Sequence, residues 1–86
     1  MPRLSEFYGI AIYMYFADHS PPHFHAIYAG HEALIRIDDG GVIRGRLPTT
    51  AGRLVEQWRT IHRDELAANW ALAQVPAALS TIEPLQ

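Results

Sequence analysis

The sequence predicts an α+β domain: a four-stranded antiparallel meander followed by a C-terminal helical segment, one bent helix or two, packed on the sheet. Three observations lead there. Between Tyr8 and Leu47, short β-branched and aromatic runs alternate with turn residues, as in hairpin-linked strands. From Ala51 to Gln74 there is no proline, and Val55, Trp58, His62, Leu66, Trp70 and Ala73 recur every three or four residues, the stripe of a 3.6-period helix. Finally, 86 residues with no repeat or linker make one domain spanning 1–86.

The first strand is expected over Tyr8–Phe16. Ile10, Ile12, Met14 and Phe16 share one face and point inward, while Ala11, Tyr13 and Tyr15 share the other. Asp18-His19-Ser20-Pro21-Pro22 ends it, because two prolines remove two backbone donors. A second strand is expected over His23–Ala29, a turn at Gly30-His31, and a third strand over Glu32–Ile37. Asp38-Asp39-Gly40-Gly41 reads as a hairpin turn, since Asp-Gly and Gly-Gly accept positive φ, and Val42–Leu47 returns as the fourth strand. Pro48-Thr49-Thr50 then starts the helix, with threonine as N-cap. An unbroken helix over Ala51–Gln74 would run about 36 Å, against a body about 25 Å across. A bend is therefore expected near His62-Arg63-Asp64. Pro76 closes the helix, and Leu79–Leu85 is a tail able to add a short edge strand.

Composition narrows the function classes. No cysteine is present, which removes disulfides, thiolate metal sites and a cysteine nucleophile. No apolar run approaches membrane-spanning length and the opening residues carry no apolar leader, so a cytoplasmic protein is expected, with no membrane partner. The net charge is -2 and all seven basic residues are arginine. They are dispersed, and Arg53, Arg59 and Arg63 with Glu56, Asp64 and Glu65 read as a solvated helix face. General attraction to nucleic acid is thus weak. A core this small raises the expectation of a partner or homodimer.

Chemistry concentrates elsewhere. Four of the five histidines, His19, His23, His25 and His31, fall within one short stretch. His23 and His25 are two apart on a strand, so both rings project to one face. Such a pair can give two imidazoles to one divalent metal such as zinc, completed by Asp18, His19 or His62; the metal set favoured here is His23, His25 and His19. The same imidazoles could instead serve as acid and base in metal-independent phosphodiester cleavage, with Asp18 as third catalytic residue. Packing or partner-facing roles for these histidines are the plainer alternative. Candidate binding residues are Tyr13 and Tyr15 on the amphipathic strand face, Tyr28 beyond the histidines, and Trp58 and His62 on the helical stripe. Tyr13 and Tyr15 could stack RNA bases, whereas Trp58 and Trp70 have core packing as their default role. No phosphate-binding glycine loop, nucleophile elbow or His-Glu-x-x-His motif occurs.

Several segments resemble a known family: Phe7-Tyr8-Gly9-Ile10, Met14-Tyr15-Phe16-x-Asp18-His19-x-Pro21-Pro22-His23-Phe24-His25, Ile35-Arg36-Ile37-Asp38, Gly45-Arg46-Leu47-Pro48, Trp58-x-x-x-His62-Arg63-x-Glu65-Leu66, Asn69-Trp70 and Ile82-Glu83-Pro84-Leu85. Together they are similar to the bacterial domain-of-unknown-function family 4160, whose signature is Pro-Pro-His-x-His. That resemblance implies a small protein often encoded beside a member of domain-of-unknown-function family 2442, an arrangement like a toxin–antitoxin pair. It marks Asp18, His23 and His25 as signature positions and implies no substrate. Three functions are carried forward: a component of such a two-gene module acting through a protein partner, a small nuclease or metal-dependent hydrolase built on His23 and His25, and a nucleic-acid-binding regulator.

Overall fold

The structure is a computed structural model that describes residues 2–86. Among these, five strands rather than four form one antiparallel sheet: β1 (Arg3–Phe7), β2 (Ile10–Tyr13), β3 (His23–Tyr28), β4 (His31–Arg36) and β5 (Val42–Gly45), in that spatial order. One helix, α1 (Thr49–Gln74), follows. The additional strand arises because the run expected to begin at Tyr8 instead begins with a turn. Tyr8 and Gly9 take φ of 51° and 79°, the double positive φ of a tight hairpin, so Phe7 pairs with Ile10. Ala29 and Gly30, at φ 48° and 82°, make the second such turn. It sits one residue earlier than expected and sets Tyr28 opposite His31, hence His25 opposite Leu34.

Alternation along the strands divides the sheet into two faces. Ile10, Ile12, Phe24, Ala26, Ala33 and Ile35 are buried against Ala51, Val55, Trp58 and Leu66 of the helix, as the stripe predicted. Met14 stays buried beyond the end of β2, whereas Phe16 is exposed, because the chain has by then left the ladder. Trp58 is fully enclosed, its ring 5.4 Å from Phe7 and 5.9 Å from Phe24.

The helix bends at His62, which leaves helical geometry at φ -112° and ψ 22°. It is one bent helix, and the protein extends 34 Å along its longest axis. Its start differs from expectation. No threonine caps it; Pro48 occupies the capping position in extended geometry, and its carbonyl accepts the Gly52 amide. Arg59 is a second correction. Far from lying on a solvated face, it is 4% exposed. Its Nη1 donates to the carbonyls of Ile37 (2.9 Å) and Asp38 (3.2 Å), and its Nε and Nη2 grip the Glu56 carboxylate at 2.9 and 2.6 Å. A guanidinium has enough donors to satisfy all of these at once, so it clamps the helix to the chain leaving β4.

Two further ties position the functional surface. The Ala17 amide donates to the Ala73 carbonyl at 3.0 Å, which fastens the β2–β3 loop to the end of α1. The C-terminal tail forms no strand. Asn69 holds it through paired hydrogen bonds with Ser80, both 2.8 Å, and the Ile82 amide reaches the Leu4 carbonyl on β1 at 2.8 Å. No helix among the described residues is long and apolar enough to cross a membrane.

Candidate metal centre

The sheet face turned away from the core carries His23 and His25 side by side, as the period of two requires. The β2–β3 loop folds over them. Ala17 takes φ 53°, and the chain turns to lower Asp18 onto both rings. Its Oδ2 lies 3.0 Å from His23 Nε2 and 3.5 Å from His25 Nε2. The three ligand atoms lie within 4.8 Å of one another. For ligands about 2.0–2.1 Å from a zinc ion, tetrahedral geometry separates neighbouring donors by about 3.3 Å, and the two Asp18 distances straddle that figure.

The opposite ring nitrogens decide what kind of site this is. His23 Nδ1 lies 2.8 Å from the Pro21 carbonyl oxygen, and His25 Nδ1 lies 3.0 Å from Glu32 Oε2. Both partners are acceptors, so each Nδ1 carries the hydrogen, and in the neutral ring each Nε2 presents a lone pair. Both Nε2 atoms are sealed from solvent, and neither is aligned to form a hydrogen bond with Asp18. With both rings neutral, two imidazole lone pairs and a carboxylate converge with no donor among them. Acceptors left facing one another in this way are costly, and a cation resolves the conflict. Imidazoles whose far nitrogen is bonded to a carbonyl or carboxylate are the usual metal-bound arrangement.

Other groups keep the geometry fixed. The Tyr15 ring meets His25 edge-on at 4.2 Å, and Trp70 lies 5.3 Å from His23. The His19 amide donates to Asp18 Oδ1 at 2.8 Å, so one carboxylate oxygen is occupied and the other faces the histidines. Burial pushes the Asp18 carboxyl up, but the hydrogen bond from the His19 amide and the attraction of His23 and His25, when these rings carry a proton toward it, outweigh burial and hold the group below its ordinary value. It stays a carboxylate. A cleft of about 400 Å³ opens beside the cluster, walled by Tyr15, Asp18, His19, Pro21, Leu34 and Arg44 among others, which is within the range of small-ligand sites.

Of the candidate residues, Asp18, His23 and His25 come together, and Tyr15 braces them. His19 gives the cluster its backbone amide and a stretch of cleft wall, while its ring lies outside the set of converging ligand atoms. The other candidates are elsewhere. Tyr13 pairs with His25 across the ladder but does not line the cleft. Tyr28 packs on the core at the far end of β3, and Trp58 is core. His62 sits at the helix bend, its ring against Trp58 and hydrogen-bonded to Glu65.

Glu32 and Arg44 were not singled out by the sequence. Glu32 was legible in principle: with a two-residue turn at Ala29-Gly30, it lies diagonally across from His25 on the same face. Gly45, at φ 72°, packs so tightly on the Glu32 carbonyl that any side chain there would collide.

No curated protein and no solved structure matches the chain. The model of a family described as a domain of unknown function, DUF4160, matches residues 9–71, a span that includes the whole Asp18–His23–His25 cluster, and the chain therefore belongs to that family.

Proposed function

We propose that this protein is a small metal-dependent hydrolase in which Asp18, His23 and His25 hold one divalent cation. The observation that carries this reading is the convergence of two buried, unpartnered imidazole nitrogens on the partly buried Asp18 carboxylate, each group oriented from behind. Three protein ligands, two imidazoles and a carboxylate, are the number found at catalytic zinc sites, where the remaining position is left to water or substrate. A divalent ion bound there would supply Lewis acidity and an acidified water. The chain's own residues do the rest. The Pro21 and Glu32 acceptors hold the Nδ1 hydrogens of His23 and His25 and so turn each Nε2 toward the cation, Asp18 supplies the charge that favours a cation, and Tyr15 with Trp70 stops the rings from turning.

Elemental analysis of tag-free protein, followed by zinc titration, tests the reading. One equivalent of zinc is expected to bind wild type, and His23→Ala and His25→Ala are each expected to lose it together with any hydrolytic activity. Sub-stoichiometric metal in wild type under saturating zinc would mean that protonated histidines, not a metal ion, neutralise Asp18, and the proposal would fall.

A second reading places the protein in a two-gene toxin–antitoxin-like module, bound to the small protein encoded beside it. Strand β5 supports it: Val42 and Ile43 are 56% and 40% exposed on an edge whose outer side is unpaired. Co-expression with the neighbouring gene product should give a single co-eluting species in size-exclusion chromatography. Separate elution at micromolar concentration would remove this reading.

A further inference from the structure

Among the described residues Arg44, Arg46 and Arg53 have no carboxylate partner, and of these Arg44 is the one placed beside the histidine cluster. Among the described residues, Arg3, Arg36, Arg59 and Arg63 each pair with a carboxylate. Arg44 pairs with none, and it lines the same cleft as Asp18, His23 and His25. Its placement results from a break in the ladder. Leu34 pairs with Arg44 and Ile35 with Val42, so Ile43 is an extra residue on β5. In a regular strand Ile43 and Arg44 would point to opposite faces; across a bulge that alternation fails, and both reach the cleft.

We infer that Arg44 is a substrate-positioning residue and that the substrate is a phosphate monoester. This rests on the metal-site reading above and names the ligand that such a site would take. A divalent ion on Asp18 would leave its three-ligand set net positive, a charge that Glu32 behind His25 offsets, and Arg44 adds the further cation that makes the cleft positive. The ligand that fits between them is an anion. A guanidinium offers parallel donors that match two oxygens of a phosphate or carboxylate. A carboxylate has only two oxygens and must divide them between the fork and the metal. A phosphate monoester has three non-bridging oxygens, so it can face Arg44 with two of them and present the third to the metal, which a diester, with two, cannot. Tyr15, Pro21, Leu34 and Ile43 form the apolar part of the wall, against which the ester's organic group would lie.

Calorimetric titration of the zinc-loaded protein with phenylphosphonate, a non-hydrolysable analogue, and with benzoate tests the inference. Phenylphosphonate is expected to bind at least tenfold more tightly than benzoate. Arg44→Gln should weaken phenylphosphonate at least tenfold and leave zinc stoichiometry and melting temperature unchanged, with Arg44→Lys recovering only part of the loss. Equal binding of the two probes overturns the choice of phosphate, and binding indifferent to Arg44 overturns its role. If zinc does not bind, the metal reading is what fails. The same titration on metal-free protein then reads Arg44 alone, and absence of Arg44-dependent binding there overturns this inference as well.

Discussion

His25 is constrained on three sides: Asp18 before Nε2, Glu32 behind Nδ1 and the Tyr15 edge against its ring. Glu32 is about half exposed, so its hydrogen bond adds little to folding. In the proposed metal site its effect would fall on the metal, because it fixes the tautomer and raises the basicity of the facing nitrogen. Glu32→Gln should therefore weaken zinc binding by about 10–100-fold while the melting temperature of the metal-free protein scarcely moves; competition with a chromogenic chelator measures it. Equal affinity in the variant would mean that Glu32 does not orient the ring. At this scale much of the site was legible. Pro-Pro-His-x-His placed two histidines of the cluster on one face because strand period needs no tertiary information, and Asp18 stood close in sequence. Glu32 and Arg44 depend on the position of one turn and on one bulge, and neither strand run encodes those visibly.

Among the elements, the clamp between α1 and β4 is the most polar join in an otherwise apolar contact. Arg59 bonds Glu56 and the carbonyls of Ile37 and Asp38. The Arg59 guanidinium hydrogen-bonded to Glu56 holds that carboxyl below its ordinary value of 4.5, against a smaller opposing push from burial. A carboxyl lowered in the folded state contributes stability that is present above its unfolded value and is lost as pH falls through the folded one. Glu56→Gln should thus be less stable than wild type at pH 7, and the difference should shrink as the pH drops below about 4.5. Urea melts at pH 7, 5 and 3 check this, and a gap that widens on acidification would contradict it. The helix itself, its apolar face and its bend were readable from spacing and length. Arg59 was not, since a long polar side chain on the flank of a stripe looks the same whether it meets water or buried carbonyls. Strand β1 was missed for a related reason: Tyr8-Gly9 sits inside what reads as one continuous β-rich run.

For the whole molecule, the α+β class and the sheet-then-helix order followed directly from the change in hydrophobic period near Pro48. The strand count did not, because five short strands and four longer ones leave nearly the same pattern. The loop that carries Asp18 is fastened to the last turn of α1 by the Ala17–Ala73 hydrogen bond, so the site draws on both ends of the chain. Asn69, near that end of the helix, also anchors the tail.

That tail has a consequence for assembly. By bonding to the Leu4 carbonyl it covers part of the margin of the sheet at β1, while among the described residues no strand pairs with the opposite margin at β5. Fibres that grow by strand addition need every newcomer to expose a fresh template. Here two molecules joined β5 to β5 would present only their β1 margins, each crossed by a tail, so recruitment through β5 closes at a pair.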